Sequence, residues 1–173
     1  MRGTPTDHVP RLSVRAPSVA WDRQACQPLN AVRGICACSA SQNSGDGTSA
    51  SATVRVLVVE DDEPVRSHIV RIVTALGFRV RTAGSGMDAL QALSADLRCD
   101  LLVTDVVMPR MSGGQLAQAA RLLSPGLPVV FVTAHNVDPI VEQLCRDGRA
   151  VMLPKPFRRQ MLVAALMQAL RCG

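Results

Sequence analysis

Tyrosine is absent from this 173-residue chain, tryptophan occurs once, at Trp21, and aromatics together make up 2%. Such a chain offers no stacking platform for single-stranded nucleic acid. Lysine is almost as scarce, with Lys155 alone against eighteen arginines. The net charge of +5 is not gathered into a basic helix or cluster, because arginines and acids are interleaved along the chain. A direct nucleic-acid partner is therefore not expected. No run reaches the roughly 18 apolar residues that a membrane span needs. The first thirty residues also lack the continuous apolar core of a secretory signal. Six cysteines are present, Cys26, Cys36, Cys38, Cys99, Cys145 and Cys172. The first three are too few and wrongly spaced for a closed zinc site. The expectation is a soluble, cytoplasmic chain with reduced thiols and no membrane partner.

What is present divides near position 53. Prolines at 5, 10, 17 and 28 interrupt any helix before it propagates. The segment 39–53, SASQNSGDGTSASAT, is small and polar and has nothing to bury. Residues 1–53 are thus predicted to be a flexible, disordered tail. One reading of this tail puts the natural start further in, near Val54.

From Val54 the texture changes, and the overall apolar fraction of 47% supplies a core. Short apolar runs at 55–59, 79–83, 101–105, 128–133 and 150–153 alternate with helix-period segments at 64–76, 86–95, 113–123, 137–147 and 158–171. In the first helix Val65, Ile69, Ile72, Val73 and Leu76 share a face, Pro64 suits its first turn, and Gly77 stops it. Ser112 is placed to cap the third helix, and Gly84-Ser85-Gly86 reads as a strand-to-helix turn. In the last helix Leu162, Ala165, Leu166 and Ala169 form the buried stripe. Apolar strands with helical crossovers predict an α/β domain over 54–173. Its form is a five-stranded doubly wound parallel sheet with five helices, in the flavodoxin-like order 2-1-3-4-5.

In such sheets ligands bind beyond the carboxyl ends of the strands. There the sequence places Glu60, Asp61 and Asp62 after strand one, Asp105 at the end of strand three, Thr133 and Ala134 at strand four, and Lys155-Pro156 after strand five. Singly, each has an ordinary reading: acids at a helix start, a turn aspartate, a strand-end threonine, a surface lysine. Together they carry more, because the chain's one lysine falls at the end of the last strand, where a compact ammonium suits a phosphoryl oxygen. An oxygen-only carboxylate cluster suits Mg2+, and a carboxylate attacking a phosphoryl group needs such a cation beside it. Asp105 is the candidate nucleophile, since it alone ends a strand and is followed by a turn that presents it. His8, His68 and His135 are weaker candidates, and the methionines Met108, Met111, Met152, Met161 and Met167 read as packing.

The segments VRVLVVEDDEPVR, LLVTDVVMPRMSGGQLA, PVVFVTAH and LPKPF, in that order over 54–171, resemble the receiver domain of two-component response regulators. The resemblance implies a phosphorelay function in which Asp105 is phosphorylated by a histidine kinase or histidine phosphotransfer protein and the signal passes to a downstream effector protein. It implies that Mg2+ is held by Asp61, Asp105 and the backbone carbonyl of Val107, with Glu60 acting through water. Thr133 matches the family's switch hydroxyl, Ala134 the small residue beside it, Lys155 the lysine that pairs with the phosphoryl group, and Pro156 a residue joined to it by a cis bond. Asp62 is not assigned to the metal. Met152 stands where the family often has Tyr or Phe, a departure that touches the coupling to Thr133. The face 137–171 corresponds to the family's usual partner or homodimer surface.

The chemistry expected is self-phosphorylation and dephosphorylation, not turnover of an external metabolite. No DNA-binding output module is readable after 171, so the expectation is a stand-alone receiver or the C-terminal receiver of a hybrid histidine kinase. A receiver-like dimer module that is never phosphorylated is a further alternative. A phosphatase of the haloacid-dehalogenase type would need an Asp at 107, which is Val. A flavodoxin would need a hydroxyl- and glycine-rich loop where Glu60-Asp61-Asp62 stands.

Overall fold

The structure, a computed structural model, describes residues 53–95, 98–134, 138–148 and 150–172. The tail expected over 1–53 lies outside these residues apart from Thr53, as do His8 and His135. Ten elements alternate without exception: β1 (Arg55–Val59), α1 (Glu63–Ala75), β2 (Arg79–Ala83), α2 (Gly86–Ser94), β3 (Leu101–Asp105), α3 (Gly113–Leu123), β4 (Val129–Thr133), α4 (Pro139–Arg146), β5 (Ala150–Pro154) and α5 (Arg159–Cys172). All strand pairs are parallel, in the order β2-β1-β3-β4-β5. The chain leaves β1 toward β2 on one side and returns to β3 on the other, so the crevice between β1 and β3 is the topological switch point.

Apart from β2 the strands look mostly apolar in sequence, yet their side chains divide by the two-residue period. Val56, Val58, Leu101, Val103, Val130 and Val132 face α1 and α5, where Ile69, Ile72, Val73, Leu162, Leu166 and Ala169 complete one core. Leu57, Val59, Leu102, Val129 and Phe131 face α2, α3 and α4 and meet Ala89, Leu116, Ala117, Ala120, Val141 and Leu144. β2 lies at an edge and its RVRTA sequence is only partly covered.

Local chemistry fixes the helix starts at the carboxyl edge of the sheet. Asp62 caps α1, its Oδ1 accepting from the Val65 amide at 3.0 Å, and Pro64 occupies the first turn. Ser85 caps α2, and Ser112 caps α3 in a reciprocal box with Gln115. α4 starts two residues later than the pattern predicts, at Pro139, because Asp138 turns its Oδ1 onto the Ile140 amide and takes the cap position. Each cap of this kind contributes about 1 kcal/mol. α1 closes at Leu76, and Gly77 adopts φ +83°, the left-handed conformation glycine enters without strain. Among the described residues no helix is long and apolar enough to cross a membrane. Cys99 and Cys145 are free thiols; Cys26, Cys36 and Cys38 lie outside the described residues.

Candidate phosphoacceptor site

β1 extends its pairing one residue past its end, through the Glu60 amide to the Ala83 carbonyl at 3.3 Å. That bond sets the Glu60 side chain inward, where it is 1% exposed, while Asp61 on the following turn is exposed. Across the switch point β3 ends at Asp105, also buried. One oxygen from each of Glu60, Asp61 and Asp105 lies within 4.8 Å of the others. Opposite them Lys155 reaches in from the end of β5, its Nζ donating to Glu60 Oε2 and to Asp105 Oδ2, both at 2.8 Å. The second Asp105 oxygen, Oδ1, accepts from the Val107 amide at 3.2 Å.

These contacts explain the electrostatics. Burial raises the Glu60 carboxyl most, the Lys155 hydrogen bond opposes it and the neighbouring Asp105 charge adds to it, leaving the group at about 7. For Lys155 burial works against the ammonium, but the hydrogen bonds to Asp105 and Glu60 outweigh it and hold its pKa above the ordinary lysine value. Glu60 Oε1 is buried and has no hydrogen-bond partner among the described residues. A buried carboxylate oxygen of this kind lacks the compensation that charge normally requires. An oxygen-only set with one such free lone-pair site, beside an exposed Asp61 open to solvent, fits a hard divalent ion such as Mg2+.

Thr133 ends β4 and is buried, and its carbonyl accepts the Lys155 amide at 2.6 Å. That bond ties the lysine's backbone to the threonine's. Ala134 follows it, exposed. The Lys155–Pro156 bond is cis. Met152 lies opposite Phe131 in the β4–β5 register and packs, half-buried, with the α2–α3–α4 core. Val107 is exposed beside Asp105. Asp62 is spent on the α1 cap, away from the carboxylate cluster. His68 stays exposed on α1, its ring centroid 6.0 Å from that of Phe157. Of the partner face expected over 137–171, residues 138–148 and 150–171 are described.

Two residues at this edge escape a reading of the sequence. Gly113 begins α3 directly against β3, and a Cβ built on it would stand 2.0 Å from the Asp105 carbonyl oxygen. Arg66, on α1, sends Nη1 back to the Glu60 carbonyl at 2.5 Å. Gly113 could have been suspected from the glycine pair 113–114 at a helix start, where glycine otherwise weakens a helix. Arg66 carries no signal among eighteen arginines, since its acceptor is backbone.

The family model for the response regulator receiver domain matches residues 56–167. Response regulator MprA of Mycobacterium ulcerans is 36% identical over 121 residues, 69% of this chain and 51% of that protein. Sensor kinase CckA of Brucella abortus is 34% identical over 124 residues, 71% of this chain and 13% of that protein. The chain therefore spans about half, or much less, of these relatives' length. Among solved structures, the chemotaxis protein CheY4 of Vibrio cholerae superposes with a TM-score of 0.61 at 28% identity, over 68% of this chain and 99% of the other. A response regulator receiver protein from Sinorhizobium medicae gives 0.61 at 27% identity, over 69% of this chain and 95% of the other. With the 2-1-3-4-5 sheet, the clustered carboxylates and the family match all falling on the same residues, this chain belongs to the response regulator receiver domain family.

Proposed function

We propose that the chain is a phosphoacceptor switch, in which Asp105 takes a phosphoryl group from a phosphohistidine donor in a Mg2+-dependent step. The observation that supports this most is the position of Lys155 Nζ, 2.8 Å from both Glu60 Oε2 and Asp105 Oδ2, beside the three-carboxylate cluster. An Asp105 oxygen attacks phosphorus; the P–O bond forms as the P–N bond to the donor imidazole breaks. The leaving nitrogen keeps the electron pair and takes up a proton. Lys155 stays within reach of the charge that builds on the phosphoryl oxygens, already aimed and desolvated. Asp61, Asp105 and the Val107 carbonyl would hold Mg2+, with Glu60 through water. The ion supplies charge neutralisation for the nucleophile and the transferring group.

After transfer the Thr133 hydroxyl closes onto the phosphoryl group, Ala134 leaves room for it, and Met152 repacks in place of an aromatic. The donor is a histidine kinase or histidine phosphotransfer protein and the reader a downstream effector protein, meeting the face 137–171 in the cytoplasm, where a homodimer would also form. No external metabolite is turned over. The relatives carry this domain both within a sensor kinase and within response regulators, so a hybrid-kinase origin and an independent regulator are two settings for one chemistry.

Acetyl phosphate with Mg2+, followed by intact mass, tests the reading. One phosphoryl group should be added to the wild type, and none to Asp105→Asn or in excess EDTA. Equal labelling of Asp105→Asn, or an unlabelled wild type, would sink it.

A further inference from the structure

We infer that Arg66 is a positioning residue for the cation site: it clamps the backbone of the acidic turn so that Glu60 and Asp61 present their carboxylates together. The inference rests on the proposed Mg2+ site, and its experiment separates the two. Three observations carry it. Arg66 Nη1 donates to the Glu60 carbonyl at 2.5 Å and lies 3.4 Å from that of Asp61. These are the two consecutive residues whose side chains enter the cluster. Nη2 is paired with Glu63, so the guanidinium is held at both ends of its fork. The side chain itself is only 17% exposed.

The physical case is one of competing demands on a short turn. Between the last β1–β2 bond, Glu60 N to Ala83 O, and the first α1 bond, Arg66 N to Asp62 O, only Asp61 and Asp62 connect strand to helix. The carbonyls of 60 and 61 belong to neither ladder. A planar guanidinium answers them with donors of fixed geometry, where an ammonium is a single point. Fixing the peptide planes of 60 and 61 fixes the directions of their side chains, and a carboxylate pair held in advance binds a cation without a further ordering cost.

Electrostatics predicts the opposite sign, which makes the idea decidable. Arg66 is a positive charge near a cation site, so its removal through charge alone would tighten cation binding. Through lost positioning, removal loosens it.

The experiment is a Mg2+ titration of the full chain by amide chemical shifts, with wild type, Arg66→Ala, Arg66→Gln and Arg66→Lys. Melting curves in EDTA accompany it to show that each variant is folded. Expected are an approximately tenfold weaker Kd for Arg66→Ala, equivalent to about 1.4 kcal/mol, and a similar loss for Arg66→Gln. Arg66→Lys, which keeps a long donor, should recover part of it. In the Mg2+-free protein the amide shifts of residues 60–62 should move while those of Thr133 and Lys155 hold. Affinity unchanged or tightened in Arg66→Ala or Arg66→Gln overturns the inference and leaves the phosphoacceptor reading standing. If Arg66→Ala fails to fold, Arg66→Lys and Arg66→Gln decide alone. A wild type that binds no Mg2+ overturns both.

Discussion

The chemistry of this domain is concentrated in how single side chains are paired. Lys155 answers two carboxylates at once, and the buried Glu60 holds one oxygen on that ammonium while the other meets no donor among the described residues. Burial raises the Glu60 pKa to about 7 from an ordinary 4.5, which fixes the sign of a pH effect. Between those two values the native protein retains a proton that the unfolded chain has lost, so stability falls as pH rises across the window. The contribution is fully present below the unfolded pKa and gone above the folded one. A bound divalent cation favours the carboxylate and reverses this preference. Melting temperature in EDTA should therefore decline from about pH 5 to about pH 8, and saturating Mg2+ should flatten or invert the slope. Glu60→Gln should remove the decline. An equal slope in that variant would show that another group is responsible.

Strand ends and helix starts do the positioning, and at this scale the sequence was only partly readable. The strands could be placed because their apolar runs are short and bounded, and the cap at Ser112 falls where its residue type says it should, while Ser85, read only as part of a turn, caps α2. Asp105 and Lys155 could be singled out because one ends a strand and the other is the chain's only lysine. The approach of α3 to β3 could not, since it depends on a crossing that no local pattern encodes. Gly113 donates its amide to the Val106 carbonyl at 3.0 Å and has backbone, not a flexible side chain, where a Cβ would go. Neither atom can step aside without moving the Asp105 peptide itself. Gly113→Ala should therefore cost about 3 kcal/mol by overpacking and also slow phosphorylation of Asp105. Urea unfolding and acetyl phosphate labelling together check this. A stable variant labelled at the wild-type rate would mean that the helix start shifts freely.

Across the whole molecule the two edges of the sheet have separate work. The carboxyl edge gathers three carboxylates close enough to hold a metal ion between them, whereas the amino edge is closed by an ordinary bidentate ion pair. Arg55, at the start of β1, gives Nε and Nη2 to Asp100, just before β3, at 2.8 and 2.7 Å, and its own amide bonds the same carboxylate at 2.8 Å. These residues are 45 positions apart and meet because β1 and β3 run parallel side by side. Beside them Cys99 is pushed up to about 11 by burial, so its thiol stays protonated at neutral pH. The hydrogen bonds from Arg55 hold the Asp100 carboxyl below its ordinary value. For a depressed carboxylate the stabilisation is present above the unfolded pKa and lost as pH falls through the folded one. Both side chains are about a third exposed, so solvent screening limits the pair to about 0.5–1 kcal/mol. Asp100→Asn should lower neutral-pH stability by about that much and weaken the dependence of unfolding on acid. Mg2+ affinity and Asp105 labelling should stay unchanged, because four strand residues, 56–59 in β1 and 101–104 in β3, separate the pair from the site. Parallel urea titrations at neutral and acidic pH, with a Mg2+ titration of the same variant, test both halves. A loss of Mg2+ affinity in Asp100→Asn would show that the two edges are coupled through the sheet.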